Sequence, residues 1–207
     1  MKKKILFVTC TRADYGKLKS LIINIQKNNN FISRVFVSGM HNMKRYGSTY
    51  VEIVKDKING IYRYSNLIKN MRMDEILTST MKGFSSFLIK YNPDLVIVHG
   101  DRIEPLACAL SSLLNNFLVA HIEGGEVSGT VDEMLRHSIS KISHLHLVSN
   151  KTARKRLIQM GENKRYIFEV GSPDVDLSLI KIYQKLSQQK KDIILDLMIL
   201  VYRSFIL

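Results

Sequence analysis

Short runs of apolar, β-branched residues alternate along the chain with longer segments whose apolar residues recur every three to four positions. The short runs are typical of strands buried on both faces, and the longer segments of helices packed on a sheet. Strands are predicted at 4–10, 34–37, 61–64, 95–98, 118–122, 146–149 and 167–170. Helices are predicted after Lys17 and at 48–58, 75–91, 104–115, 132–143 and 151–160. This alternation predicts an α/β fold with a doubly wound parallel sheet, Rossmann-like in type.

Two consecutive predicted strands each lead into residues that can bind or react. These residues are His99, Asp101 and Arg102 for the first strand, and His121, Glu123 and Glu126 for the second. In an open parallel sheet, ligands bind beyond the carboxyl ends of the strands, so a reaction centre is expected there. The simpler alternative is that strand-end loops are merely polar. Two successive loops with matching chemistry favour a site.

The turn after the first strand carries Arg12 and Asp14, directly before a helix. Free backbone N–H groups and the helix dipole favour an anion at such a turn. The planar guanidinium of Arg12 suits a phosphate group. In the alternative interpretation, Asp14 only caps the helix and Arg12 is solvated. The sequence leaves these two interpretations open.

The predicted helix 132–143 places Asp132 and Arg136 four residues apart, so the two side chains share one face near the helix start. His137 lies beside them. An acid in the first turn of a helix also balances the helix dipole without any other role. Glu133 could do that equally well, which makes Asp132 a candidate for chemistry.

Net charge, cysteine spacing and the length of apolar stretches reduce the number of functions that fit the sequence. The 207 residues carry a net charge of +13, but the lysines are scattered and no nucleic-acid-binding motif accompanies them. A basic surface that binds an anionic small molecule is therefore favoured over nucleic-acid binding. Cys10 and Cys108 have no metal-type spacing and indicate reduced thiols of a cytoplasmic protein. No apolar stretch reaches the length of a membrane helix, so no membrane association is expected.

Five motifs together resemble one known family. They are Thr11-Arg-Ala-Asp-Tyr, His99-Gly-Asp-Arg102, His121-Ile-Glu-Gly-Gly-Glu-Val-Ser-Gly-Thr130, Asp132 with Arg136-His137, and Gly171-Ser-Pro-Asp174. Their order and residues are similar to those of the hydrolysing UDP-N-acetylglucosamine 2-epimerases. The resemblance covers about residues 4 to 179. It implies the N-terminal half of the two-domain fold that is shared with GT-B glycosyltransferases.

The resemblance also implies a reaction. The C2 proton of a UDP-linked 2-acetamido sugar is removed, UDP leaves from C1, and water adds to the glycal that forms. The products are UDP and free N-acetylmannosamine, or its dideoxy analogue, for sialic-acid-type sugars. By resemblance the catalytic residues are Asp101, Glu123 and Asp132, and the substrate-binding residues are Arg12, Asp14, Arg102, His121 and Arg136. No metal or other cofactor is implied, and the role of each acid is left open.

Domain organisation departs from the family pattern. Residues 1–179 match one Rossmann-like domain, whereas 180–207 form an atypical tail in which the expected second domain is not recognisable. A truncated and inactive product is therefore one expectation. A homo-oligomer or a complementing second-domain chain could supply the other half of the site.

Two other functions are alternatives. One is a fragment of a glycosyltransferase of the same two-domain architecture, which explains the clustered acids less well. The other is a non-catalytic basic domain that binds nucleic acid or a protein partner. Salt-sensitive binding to random oligonucleotides, without affinity for UDP-sugars, would favour that last alternative.

Overall fold

The structure, a computed structural model, describes residues 2–67 and 71–172. Its strands are β1 (Lys3–Thr9), β2 (Phe31–Val37), β3 (Ile61–Arg63), β4 (Leu95–His99), β5 (Val119–Ile122), β6 (Leu145–Val148) and β7 (Ile167–Glu169). Its helices are α1 (Arg12–Lys27), α2 (Tyr50–Lys55), α3 (Met73–Tyr91), α4 (Ile103–Leu114), α5 (Val131–Lys141) and α6 (Lys151–Gln159). Short 3-10 turns lie at Gly39–Asn42, Lys44–Tyr46 and Lys164–Tyr166.

The seven strands form one sheet in the order β3-β2-β1-β4-β5-β6-β7, and every pairing is parallel. From β1 the chain first winds outward through β2 and β3, then returns to β4 on the other side of β1. The crevice between the carboxyl ends of β1 and β4 is therefore a topological switch point, where such sheets bind ligands. The predicted doubly wound parallel sheet is confirmed.

Helices cover both faces of the sheet, because alternate residues of each strand point to opposite faces. Ile5 and Phe7 of β1 belong to the core cluster that includes Ile22 of α1. Leu6 and Val8 belong to the opposite cluster, with Phe84 and Leu88 of α3. Burial on both sides explains why the strands appear in the sequence as nearly continuous apolar runs.

The predicted helix 48–58 is longer than the helix found, since α2 spans only Tyr50–Lys55. Ser48 and Lys57 both have a left-handed backbone, with φ of 48° and 56°. These values interrupt the helical geometry on either side of α2. The apolar periodicity alone gave no sign of these two breaks.

The described structure ends at Ser172. None of the helices within residues 2–67 and 71–172 is both long and apolar enough to cross a bilayer. The tail predicted at 180–207 and Asp174 of the last motif lie outside the described residues.

Candidate active site

The carboxyl ends of β1, β4 and β5 lie side by side, because these three strands are neighbours in a parallel sheet. At these ends lie Arg12 and Asp14 in the first turn of α1, then His99 to Arg102 at the end of β4, then Glu123 to Glu126 after β5. Residues from three distant parts of the sequence therefore lie at one edge of the sheet. This edge includes the switch point and is the candidate active site.

Glu123, directly after β5, receives hydrogen bonds on both carboxylate oxygens. Lys17 Nζ and His99 Nε2 lie 2.8 and 2.9 Å from Oε2, and Ser172 Oγ donates to Oε1 at 3.0 Å. Its side chain is 14% exposed. Burial alone would raise the pKa of Glu123, but the hydrogen bonds and charges of His99 and Lys17 outweigh it and lower the pKa to about 2. Glu123 is consequently a carboxylate throughout the physiological pH range.

The backbone of Glu123 is also unusual. Its φ is 61°, in the left-handed region that residues other than glycine rarely adopt. Its N–H donates to the carbonyl of Leu147 at 2.9 Å, which fixes the turn against β6. Strain of this kind costs on the order of 1–3 kcal/mol and persists mainly at functional sites.

Asp101, in the loop after β4, forms an ion pair with Arg136 of α5. The Nη2 atom of Arg136 donates to the Asp101 carboxylate, and both side chains are largely withdrawn from solvent. The Nε atom of Arg136 is buried with no hydrogen-bond partner among the described residues. Burial lowers the pKa of Arg136. The pair joins the middle of α5 to the loop after β4, so two of the predicted site residues are in direct contact.

His121, within β5, has no exposed surface. Its Nε2 lies 2.7 Å from the Gly100 carbonyl oxygen, and its Nδ1 lies 3.0 Å from Ser140 Oγ. Since a carbonyl only accepts, Nε2 carries the proton. Burial lowers the pKa of His121 to about 3, so the ring is neutral. These contacts hold the Gly100 turn in place, and the substrate contact predicted for His121 stays a prediction.

Asp14 and Arg12 differ sharply although they are two residues apart. The buried Asp14 carboxylate accepts from the backbone N–H groups of Cys10 and Thr11 at 2.9 and 3.0 Å and from the Thr9 hydroxyl. Thr11 completes a capping box with Asp14 at the start of α1. These contacts are those of the capping interpretation that the sequence left open. Substrate binding by Asp14 stays a prediction.

Arg12 is the first residue of α1, and its side chain is 73% exposed. Its Nε lies 3.1 Å from a carboxylate oxygen of Glu52. Such an exposed ion pair stabilises a protein by about 0–1 kcal/mol, so Arg12 can leave it at little cost. The guanidinium is therefore free to turn toward an anionic ligand at the edge of the sheet.

Asp132 lies exposed in the first turn of α5, where its N–H donates to the Thr130 hydroxyl at 3.3 Å. Within the part of the chain that the structure describes, no hydrogen bond joins it to Asp101 or Glu123. Its neighbour Glu133 accepts from the N–H groups of Ser128 and Gly129 at 2.9 and 2.8 Å. Glu133 thus organises the preceding loop, while the Asp132 carboxylate is left on the surface.

Three partners of Glu123 were absent from the predicted site. The sequence places His99 at the end of a strand but gives it no specific role, and it gives no individual sign of Lys17 or Ser172. The only signal was membership of the motifs, since Lys17 directly follows Thr11-Arg-Ala-Asp-Tyr-Gly and Ser172 lies within Gly171-Ser-Pro-Asp174. Among residues 2–67 and 71–172, no group of three or more His, Cys, Asp or Glu could hold a metal ion.

The family model for UDP-N-acetylglucosamine 2-epimerase matches residues 23–201. The chain belongs to the UDP-N-acetylglucosamine 2-epimerase family. It is 45% identical over 189 residues to the UDP-N-acetylglucosamine 2-epimerase of Neisseria meningitidis serogroup B, covering 91% of this chain and 50% of the relative. It is 39% identical to the UDP-N,N'-diacetylbacillosamine 2-epimerase (hydrolyzing) of Legionella pneumophila, covering 85% of this chain and 48% of the relative.

A solved structure of the same family shares the fold. The Methanocaldococcus jannaschii UDP-GlcNAc 2-epimerase, determined in complex with UDP-GlcNAc and UDP, superposes with a TM-score of 0.74 at 26% identity. The match covers 89% of this chain and 51% of that chain. The chain thus spans about half the length of the family members it matches.

Proposed function

We propose that this chain forms the carboxylate-bearing half of a hydrolysing UDP-N-acetylglucosamine 2-epimerase site. Its substrate is UDP-N-acetylglucosamine or the UDP-linked diacetamido-dideoxy analogue, and its products are UDP and the free sugar inverted at C2. The observation that carries the proposal is the Glu123 carboxylate, held ionised by Lys17, His99 and Ser172 beside the Asp101–Arg136 pair. The hydrolysing type is supported by the similarity to the Legionella relative, a UDP-N,N'-diacetylbacillosamine 2-epimerase (hydrolyzing).

The reaction needs negative and positive groups in different places. Removal of the C2 proton needs a base, and loss of UDP from C1 needs positive charge near the diphosphate. Glu123, with a pKa of about 2, accepts hydrogen bonds and stabilises positive charge but cannot supply a proton near neutral pH. In this proposal the proton transfers therefore involve Asp101 or Asp132, and Glu123 orients the reacting groups or water.

The positive groups at the same edge suit the leaving diphosphate. Arg12 is exposed at the start of α1, and Arg102 lies at the N-cap of α4. Both lie where backbone N–H groups at a helix start also favour an anion. We assign both guanidinium groups to the diphosphate, while Arg136 is already paired with Asp101.

Deuterium incorporation tests the proposal. The chain is incubated with UDP-N-acetylglucosamine in D2O, and the products are followed by NMR. Where a second copy or a complementing second-domain chain completes the site, the expected result is free N-acetylmannosamine with deuterium at C2, together with UDP, and loss of both in Glu123→Gln. Without that completion, little or no product is expected. The matched control is Glu126→Gln, three residues further on, where the carboxylate accepts from Asn150 instead of belonging to the Glu123 cluster.

Other outcomes would favour the alternative functions. Release of UDP only when a sugar acceptor is added, without deuterium at C2, would indicate a glycosyltransferase. Salt-sensitive binding to random oligonucleotides without UDP release would indicate a nucleic-acid-binding domain. Either result would overturn the epimerase proposal.

The assay is run over a range of chain concentrations, because matched family members are about twice as long as this chain. We propose that a second copy or a separate second-domain chain completes the site. If a second copy does so, specific activity rises with concentration. Full turnover that is independent of concentration would contradict completion by a second copy.

A further inference from the structure

Glu104, in the first turn of α4, is the buried acid that the site described above leaves unexplained. Its side chain is 1% exposed, and neither carboxylate oxygen has a hydrogen-bond partner among the described residues. Its Oε1 lies against the backbone of Gly39, where a Cβ atom would come within 2.6 Å. An acid that merely balances the helix dipole could remain on the surface, where it would not lose its hydration. The burial of Glu104 therefore calls for another explanation.

The cation that faces Glu104 is Arg102. The Nε atom of Arg102 forms an ion pair with Glu104 Oε2 at 3.5 Å. This Nε atom is buried and has no hydrogen-bond partner among the described residues, although the whole side chain is 40% exposed. The Nη end is consequently the part of the guanidinium that can reach a ligand. Asp101, the preceding residue, is already paired with Arg136 and does not compete for Arg102.

We propose that Glu104 is a positioning residue, which holds Arg102 by Nε so that its two Nη groups bind the diphosphate of the UDP-sugar. The choice of diphosphate as the ligand rests on the proposed function. An arginine side chain loses rotamer freedom when it is fixed, and a buried partner fixes it before the ligand arrives. The planar guanidinium then presents two parallel donors to phosphate oxygens.

The first measurement concerns Arg102 itself. In the 207-residue chain, NMR relaxation of the Arg102 Nε–Hε group is measured, with the resonance assigned by its loss in Arg102→Lys. We expect an ordered group in the wild type, a disordered one in Glu104→Met, which has similar volume but no acceptor, and an intermediate one in Glu104→Gln. An equally ordered Arg102 in all three would overturn the proposal. Cooperative thermal unfolding of each variant checks that the fold is kept.

The second measurement is the affinity for UDP and for uridine, which lacks phosphate. Glu104→Met should weaken UDP binding roughly tenfold, the scale of one charge-assisted hydrogen bond, and leave uridine binding unchanged. In the Arg102→Ala background, Glu104→Met should cause no further loss, because the two residues act through one contact. If Glu104 acted only as a nearby negative charge, its removal would instead tighten UDP binding, and that outcome would overturn the proposal.

The two measurements distinguish the positioning role of Glu104 from the proposed function of the chain. A wild-type chain that binds UDP but whose affinity is unchanged in Glu104→Met would overturn the positioning role alone. A wild-type chain that binds no UDP, with Arg102 still ordered by Glu104, would overturn the proposed function and the ligand assigned here. In that second case the positioning of Arg102 would stand.

Discussion

Two glutamates at the same edge of the sheet, Glu123 partly buried and Glu104 fully buried, have opposite electrostatic environments. Glu123 has three side-chain donors within 3.0 Å, and its pKa is lowered to about 2. Glu104 has a single cation at 3.5 Å, and burial raises its pKa. Both are withdrawn from water, so burial alone does not decide the charge of an acid. The number and distance of the donors decide it.

Glu123 and Glu104 also have different kinds of role in one site. Glu123 is stabilised as a carboxylate before any ligand binds, as a group that must meet developing charge should be. The surroundings of Glu104 disfavour its charged form. Its proposed contribution to ligand binding comes only from the positioning of Arg102. Substitution of Glu123 should therefore mainly lower turnover. Substitution of Glu104 should raise the stability of the fold and weaken ligand binding.

The largest expected effect is that of Glu123→Gln on turnover. Because Gln keeps the volume but loses the negative charge that orients the reacting groups, kcat should fall by roughly 10²–10³-fold, the scale of losing one preorganised electrostatic contact. Asp101→Asn and Asp132→Asn should fall similarly, while Glu126→Gln should not. Steady-state kinetics of UDP release and of free sugar give the result. Normal kcat in any two of the three acid variants would contradict the assignment.

Glu123 should also make folding stability depend on pH in the acid range. The lowering of its pKa from 4.5 to about 2 corresponds to ~3 kcal/mol of stability, which is fully present above pH 4.5. This contribution is lost as the pH falls from 4.5 through about 2, because the unfolded chain takes up the proton first. Urea unfolding from pH 7 to pH 2 should show the wild type and Glu123→Gln converging at low pH. A constant difference would contradict the ionised cluster.

Glu104→Gln should have the opposite effect on stability. Since burial raises the pKa of Glu104, the unfolded chain loses its proton first, and stability falls as the pH rises above 4.5. A neutral Gln removes this loss, so the variant should be more stable than the wild type near neutral pH and similar to it near pH 4. The control is Glu169→Gln at the exposed end of β7, with an expected change within about 0.5 kcal/mol. Lower stability of Glu104→Gln at neutral pH would contradict the statement that burial destabilises the charged form of Glu104.

The sequence was sufficient for the fold because the strands are buried on both sides. Runs such as Leu95–His99 are almost wholly apolar, and each is followed by a turn with glycine or polar residues. Periodicity therefore located all seven strands to within three residues at either end. It failed at α2, where the left-handed residues Ser48 and Lys57 end the helix without an apolar signal.

The site was less predictable, because its contacts join residues far apart in the sequence. Lys17 and Glu123 are 106 positions apart, and no local pattern connects them. Nor does the sequence show whether a carboxylate turns inward to cap a helix, as Asp14 does, or remains exposed, as Asp132 does. Residue type and strand-end position identify the edge of the sheet, but packing decides which partner each side chain finds.

Lys17→Gln should shift the pKa of Glu123 upward by a moderate amount. The variant loses a charged donor at 2.8 Å, while His99 at 2.9 Å is retained. NMR titration of the Glu123 side-chain carboxyl carbon measures the change directly. Lys19→Gln is the matched control, since Lys19 lies two residues further along α1 on a different face and pairs with Asp56 at 2.6 Å. An unchanged pKa of Glu123 in Lys17→Gln would show that burial and His99 alone set its charge.

The smallest effect is expected for Ser172→Ala, which removes the neutral donor of the Glu123 cluster. Its hydroxyl donates to Oε1 at 3.0 Å, on the carboxylate oxygen that Lys17 and His99 do not contact. A hydrogen bond to a charged group is worth about 1.5–3 kcal/mol, but water can replace this one because the cluster is partly open. We therefore expect a rise in the pKa of Glu123 that is smaller than in Lys17→Gln. The control is Ser149→Ala, since the buried Ser149 hydroxyl has no hydrogen-bond partner among the described residues. A shift in Ser172→Ala as large as in Lys17→Gln would mean that hydrogen-bond geometry at Oε1, rather than the positive charge near Oε2, keeps Glu123 ionised.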